Sequence, residues 1–450
     1  MSFLSAEFAL FVVLSIGIIW AAHEWIDNGQ KKCVIIGSIS VVFYAWEVPE
    51  NSIILASLTL VAFWSARFAR GWLVGLAVGM LFLPLGLLKY DVFVLGQGGL
   101  GFAGLVPLGI SFFTFQNVSY VVDVRRGLLA PETRFSRYFA YICFFPQLVA
   151  GPIVTGRQLL PQLRDFRTGI GDIRRGVALL LCGYLKKALI ADRLALVADP
   201  VFAAPGQASS SLLWLGLVAY ALQIYFDFSG YSDIAIGLGR LFGLRLPENF
   251  RYPYGARGFQ EFWRRWHITL STWLRDYLYI PLGGSRQGSL RLFWALLVTM
   301  VLGGLWHGPH WNFVLWGLGH GLLLWGERQR PVQGLRHLFG GMPYRLLAMT
   351  LIGLLWVLFR SGSESLPFET ASFYYMGLFT PQTGEAATRS GLLWVLLCLA
   401  GLLSMQVGGR RITRFFLGLA PLYQGFTIAG LVALMLLMAP GRAAFIYFVF

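Results

Sequence analysis

The residues able to move protons gather in a few apolar stretches. Foremost is Gly303-Gly304-Leu305-Trp306-His307-Gly308, where an imidazole closes the apolar run 292–305. Ionisable groups at membrane depth are costly and are placed there mostly for a purpose. An imidazole takes up a proton near neutral pH, which makes it the usual general base. The bland alternative is a histidine that only packs between helices. A second imidazole stands in Phe262-Trp263-Arg264-Arg265-Trp266-His267-Ile268-Thr269-Leu270-Ser271. His267 and His307 could meet across a re-entrant helix and a span, as acid and base or as a base and its orienting group. Otherwise His267 hydrogen-bonds at the headgroup level among Arg and Trp. Of the six histidines, four remain. His310, between Pro309 and Trp311, suits an interfacial role. His320 lies inside the apolar run 311–325 and faces helix neighbours. His23 and His337 sit in charged loops and are expected to be solvated.

Tyr225-Phe226-Asp227-Phe228-Ser229-Gly230-Tyr231-Ser232-Asp233 puts two carboxylates into an apolar region. Such groups must pair or sit in a polar cavity. They could line a channel, relay protons or bind an arginine structurally, and the structural role is favoured. Their spacing does not by itself make a glycosidase pair. No Gly-x-Ser-x-Gly elbow, phosphate-binding loop, zinc pattern or dinucleotide fingerprint occurs on a suitable strand–helix turn. The four cysteines, Cys33, Cys143, Cys182 and Cys398, are scattered, with no metal-ligand spacing and no readable disulfide framework. No metal site is expected, and a soluble type of enzyme is disfavoured.

The chain that must position these groups has 450 residues, 57% hydrophobic and only 13% charged. That composition belongs to a polytopic membrane protein. A span takes about 20 apolar residues, and about twelve candidates are present. They lie near 4–22, 33–48, 52–66, 72–88, 107–122, 176–199, 212–243, 292–306, 311–326, 346–360, 391–407 and 422–440. The first lacks a basic flank and reads as a retained span, not a signal peptide. The net charge of +15 would suggest nucleic acid in a soluble protein. Here the arginines crowd short loops, at 125–137, 157–175, 251–265, 328–336 and 410–414, which should be cytoplasmic. No nucleic-acid partner is therefore expected. The connection 200–211, and the one holding Glu364, Glu369 and Glu385, should face outwards, as should both termini if the crossings number twelve. Two stretches break the alternation. Residues 138–153 contain Pro146, Gly151 and Pro152, and 261–280 mixes Trp263, Trp266 and Trp273 with Arg264, Arg265, Arg275 and Asp276. Both read as re-entrant or interfacial helices, because broken backbone at membrane depth must be buried in protein or line a cavity.

Several blocks then occur in a fixed order. They are Pro107-Leu108-Gly109-Ile110-Ser111-Phe112-Phe113-Thr114-Phe115-Gln116, Phe145-Pro146-Gln147-Leu148-Val149-Ala150-Gly151-Pro152-Ile153, the segment 227–233, Leu246-Pro247-Glu248-Asn249-Phe250, the segment 262–271 with Trp273-Leu274-Arg275-Asp276-Tyr277, and Gly304-Leu305-Trp306-His307-Gly308. Together they resemble the membrane-bound O-acyltransferase family. More narrowly, they are similar to its bacterial branch that includes the membrane subunits of alginate O-acetylation and teichoic-acid D-alanylation. The resemblance runs from about residue 30 to the C-terminus. It is specific for the family and weak for the substrate, and the N-terminal spans match in kind only. It implies an all-α polytopic fold of about 11–12 transmembrane helices plus re-entrant helices around a central funnel or tunnel. It also implies His307 as the catalytic residue and His267 as the second signature position.

On that resemblance the chain is expected to be one membrane-embedded acyltransferase domain, 1–450. Residues 1–122 would form N-terminal spans, 123–330 the catalytic core, and 331–450 the C-terminal spans with an aromatic tail. It would sit in a bacterial inner membrane and move an acyl group, most readily acetyl, from a cytoplasmic donor such as acetyl-CoA. The acceptor would be a hydroxyl on an extracytoplasmic polysaccharide, such as alginate, cellulose or peptidoglycan, reached with a periplasmic partner acetyltransferase. No tightly bound cofactor is expected. Trp306, Asp227, Asp233, Asn249, Arg265, Asn312 and His320 would line the tunnel or the substrate. Phe445-Ile446-Tyr447-Phe448-Val449-Phe450 resembles a terminal aromatic motif of this branch, and Tyr447 would carry the acyl group as a transient ester. A plain interfacial aromatic belt is the alternative for that tail. The competing functions are D-alanyl transfer to a teichoic acid, a glycolipid transporter or flippase, and a scaffold for a partner enzyme.

Overall fold

In a computed structural model the described residues are 5–46, 48–96, 106–329, 331–334, 341–419, 423–425, 427 and 429–430. Among them there is no strand, only an isolated bridge between Ala208 and Glu385. The all-α class thus holds. The expected span 422–440 lies largely outside the described residues, and His337 and Tyr447 lie outside them altogether.

The chain divides into two compact units, Met1–Leu180 with Ser232–Glu248, and Leu181–Tyr231 with Asn249–Phe450. The first holds helices α1 (Ala6–Trp25), α2 (Gly29–Tyr44), α3 (Asn51–Phe68), α4 (Leu73–Leu95), α5 (Ile110–Arg125), α6 (Phe135–Cys143) and two single turns, α7 (Phe145–Leu148) and α8 (Gly156–Leu159). Polar side chains start the early helices. Ser5 Oγ accepts from the Phe8 N–H at 3.1 Å, and Asn28 Oδ1 accepts from the Gln30 N–H at 2.9 Å, each satisfying an orphan donor of a first turn. The stretch 138–153 is broken, as expected. Helix α6 stops at Cys143 and α7 restarts with Pro146 in its first turn, all of it buried. The exposed ends of these turns are met inside protein. Gln147 Nε2 donates to Tyr141 O at 2.7 Å, Tyr141 Oη to Val154 O at 3.0 Å, and the Phe145 N–H to Ser40 Oγ at 3.1 Å. His23 departs from expectation. It is half-buried, with Nε2 3.3 Å from Thr168 Oγ1 and its ring edge-on to Phe166, because the last turn of α1 is packed and not solvated.

Helices α9 (Ile170–Tyr184) and α11 (Ser210–Leu241) contribute residues to both units. Between them run a π-helical segment, Leu185–Ala191, and α10 (Asp192–Ala203). The second unit continues with α12 (Phe259–Trp263), α13 (Ile268–Leu274), a π-helical turn at Arg275–Tyr279, α14 (Ser289–His307), α15 (Trp311–Gly326), α16 (Gly341–Ser361), α17 (Pro367–Phe379) and α18 (Arg389–Gly418). The stretch 261–280 is therefore broken too.

Among the described residues six helices, α1, α3, α4, α11, α14 and α16, are long and apolar enough to cross a membrane. In α11 67% of the apolar window is buried within protein, against 39% or less in the other five, so α11 is the most enclosed of the six. The expected spans near 33–48, 107–122 and 311–326 are α2, α5 and α15, of 16 residues each. They fall short of the roughly 20 residues of an unassisted crossing. In α5 all but a few side chains are buried, so protein takes the place of lipid around it.

Candidate active site

All the groups below except Asp233 belong to the second unit. Helices α14 and α15 form a hairpin whose contact is made by glycines. A Cβ on Gly304 would lie 2.1 Å from Phe313 O, and one on Gly317 would lie 2.2 Å from Met300 O. Close backbone approach of this kind is how helices associate where no hydrophobic effect drives them together. It also places His307, the last residue of α14, deep in the unit with 4% of its surface exposed. Aromatic rings enclose the imidazole. Ring centroids lie at 4.7 Å for Trp306, 4.8 Å for Phe359 on α16 and 5.3 Å for Trp316 on α15. Such a lining excludes water and strengthens any charge interaction made inside it.

His267 reaches the same surroundings from the broken stretch. It precedes α13 with φ +41°, a left-handed conformation rare for a residue with a side chain and costing roughly 1–2 kcal/mol. Asn249 holds it there. The Ile268 N–H donates to Asn249 O at 2.8 Å and the Thr269 N–H to Asn249 Oδ1 at 3.2 Å, so one asparagine meets two of the orphan donors that begin α13. The same Oδ1 also accepts from Thr269 Oγ1 at 2.9 Å and stands 3.1 Å from His267 Nδ1. An amide oxygen only accepts, so Nδ1 carries the ring proton and Nε2 is the basic nitrogen. The His267 ring packs edge-on to Phe228 at 4.7 Å and lies 5.9 Å from the Trp306 ring. One indole thus stands beside both imidazoles. An acid–base pair acting on a bound molecule needs this: two buried imidazoles, oriented by different elements and close to one another.

The remaining expected site residues divide. Asn312, Trp316 and His320 follow one another at intervals of four on α15 and are 0%, 1% and 0% exposed. Trp263 Nε1 donates to His320 Nδ1 at 3.3 Å, which leaves the proton on His320 Nε2. His320 Nε2, Trp316 Nε1 and Asn312 Oδ1 find no hydrogen-bond partner among the described residues. Arg265 is engaged locally, ion-paired with Glu261 and donating to Tyr252 O at 3.4 Å. Asp233 belongs to the first unit and is partly buried. His310 caps α15, its Nδ1 accepting from the Asn312 N–H at 3.1 Å. A cleft of about 400 Å³ lined by Phe259, Leu322, Tyr344 and Leu351 holds none of these groups, and its Glu327 is taken up by the Phe259 and Gln260 N–H groups and the Tyr344 hydroxyl.

Asp227 has a partner that sequence reasoning missed. Lys187 Nζ lies 2.6 Å from Asp227 Oδ1 and 2.9 Å from Asp192 Oδ1. The partner is a lysine, not the arginine expected. Lys187 and Asp192 are five apart, which an α-helix sets on different faces. The π-helical segment brings them together, with the Asp192 N–H donating to Lys187 O. The available signal was the presence of both charges inside the expected span 176–199.

Comparison with known proteins bears on this arrangement. The model of the MBOAT, membrane-bound O-acyltransferase family, matches residues 105–333. The chain is 36% identical over 373 residues to the probable alginate O-acetylase of Pseudomonas aeruginosa, a match covering 78% of this chain and 70% of that one. It is 36% identical over 369 residues to the peptidoglycan O-acetyltransferase of Helicobacter pylori, covering 72% and 69%. Similarity to the teichoic acid D-alanyltransferase of Streptococcus thermophilus is 28% over 270 residues, covering 56% and 63%.

Proposed function

Because this chain belongs to the membrane-bound O-acyltransferase family, we propose that it moves an acetyl group from a cytoplasmic thioester, acetyl-CoA, to a hydroxyl of an extracytoplasmic polysaccharide. It is a multi-pass membrane enzyme, and the inner membrane of a bacterium is where donor and acceptor would lie on opposite sides. The acceptor hydroxyl attacks the acyl carbonyl while His307 takes its proton. The C–S bond breaks and the departing thiolate is protonated. General-base help of this kind is worth about 10²–10⁴-fold. Where a periplasmic acetyltransferase takes part, the attacking hydroxyl is its own, and it then passes the acetyl to the polymer.

The observation that most supports this reading is the pair of buried imidazoles beside Trp306, one ending α14 and the other held by Asn249. Acetyl is preferred to D-alanyl as the group moved, since the O-acetylating relatives are the more similar and match more of both chains. His307→Ala should abolish polymer acetylation while leaving folded protein in the membrane, read by NMR of the polymer alongside membrane expression. Full acetylation by that variant would sink the assignment and favour a transporter, which has no need of a base.

A further inference from the structure

The rings around His307 are not alike. Trp306, Phe359 and Trp316 meet the imidazole edge to face, with ring planes 73–86° apart. Phe313, in the first turn of α15, lies along it instead, with the centroids 6.4 Å apart and the planes inclined by 29°. Phe313 is 2% exposed and stands edge-on to Phe359 at 5.3 Å.

Residues without side chains make the place for this ring. A Cβ on Gly308 would run into Phe313 Cε2, and one on Gly362 would come within 2.8 Å of its Cζ. Gly308 follows His307 at the end of α14, and Gly362 follows the end of α16. The ring therefore fills a slot between the last turns of the two helices. Arginine-bearing stretches precede both helices, 251–286 ahead of α14 and 328–336 ahead of α16. By that charge the slot lies at their extracytoplasmic ends, on the acceptor's side of His307.

We propose that Phe313 determines the length of the acyl group, closing the space ahead of the carbonyl so that two carbons fit and longer chains do not. The inference rests on the reading that a cytoplasmic thioester is the donor. Such a thioester reaches His307 acyl end first. With its carbonyl level with the imidazole, its methyl group points ahead, towards the slot, and every further carbon must extend the same way. An apolar wall at that point discriminates by about 10–200-fold for one methylene. Cutting the ring back opens the slot, because Gly308 and Gly362 have no side chains to fall into it and a packed interior relaxes only partly around a deletion.

The test gives full-length protein in proteoliposomes acetyl-, propionyl- and butyryl-CoA in turn. Acyl ester formed on the polymer and CoA thiol released are measured for each. Wild type should lose on the order of tenfold or more in kcat/KM for each added methylene. Phe313→Ala should bring butyryl level with acetyl, and Phe313→Leu should lie between that variant and wild type. A ring that served folding alone would lower all three thioesters alike, so the ratio between them is the readout. Wild type that uses butyryl-CoA as well as acetyl-CoA overturns the proposal, as does a wild-type ratio in the variants; Phe313→Leu decides if Phe313→Ala does not fold. Folded wild type that transfers from none of the three thioesters would instead overturn the donor reading on which the inference rests.

Discussion

Asn249→Ala separates what holds His267 from what His267 does. The substitution removes one oxygen that serves Thr269 N–H, Thr269 Oγ1 and His267 Nδ1. The hydroxyl can rotate and the imidazole can change tautomer, so the loss falls chiefly on the backbone N–H of Thr269, which donates to that oxygen at 3.2 Å. Its desolvation should cost about 1–3 kcal/mol of stability. The catalytic effect comes from the ring. Losing the bond that fixes Nδ1–H removes about 1 kcal/mol of preference for presenting Nε2 as the base, worth roughly five- to tenfold in rate. Asn249→Asp keeps an acceptor at the same place and so keeps the tautomer, though it buries a charge. The assay is acetyl transfer per folded molecule in proteoliposomes, with a thermal melt run on the same samples. Asn249→Ala should melt earlier and turn over more slowly than Asn249→Asp. If Asn249→Ala melts earlier yet each folded molecule transfers at the wild-type rate, the orientation of His267 has no part in the chemistry.

Two further substitutions address the hairpin and the tail. Gly304→Ala drives a methyl to 2.1 Å from Phe313 O, so α14 and α15 must part; it should abolish transfer by displacing His307, and normal activity in a well-expressed variant would refute the role given to that contact. Tyr447→Phe removes only a hydroxyl, so a relay through an acyl-tyrosine predicts loss of polymer acetylation and of an acetylated C-terminal peptide in mass spectra, whereas an unchanged rate leaves the aromatic belt standing.

The fold class was legible because lipid imposes its demands on composition, and the apolar runs carry that signal in any order. The two broken stretches were legible for a related reason. Pro146 in one, and Arg264, Arg265 and Asp276 among tryptophans in the other, are incompatible with a plain span. His267 and His307 stood out as imidazoles among apolar neighbours, and the structure sets both beside Trp306. The lone Asp227 was legible as a group that must pair, but its partner was not. A helical reading of 176–199 spaces residues by 3.6 per turn, and on that spacing Lys187 and Asp192 do not share a face. Only the insertion of a π-helical turn changes the register, and no residue between Leu185 and Ala191 announces it. The turn is set by the tertiary gain of placing an ammonium between two carboxylates that α10 and α11 bring together. A helix gives up regular hydrogen bonding for such a register only where the packed unit over-determines it. An ion pair by itself is only weakly favoured over apolar packing of the same volume, so the Lys187–Asp192–Asp227 triad sets the register of this segment more than it adds to stability.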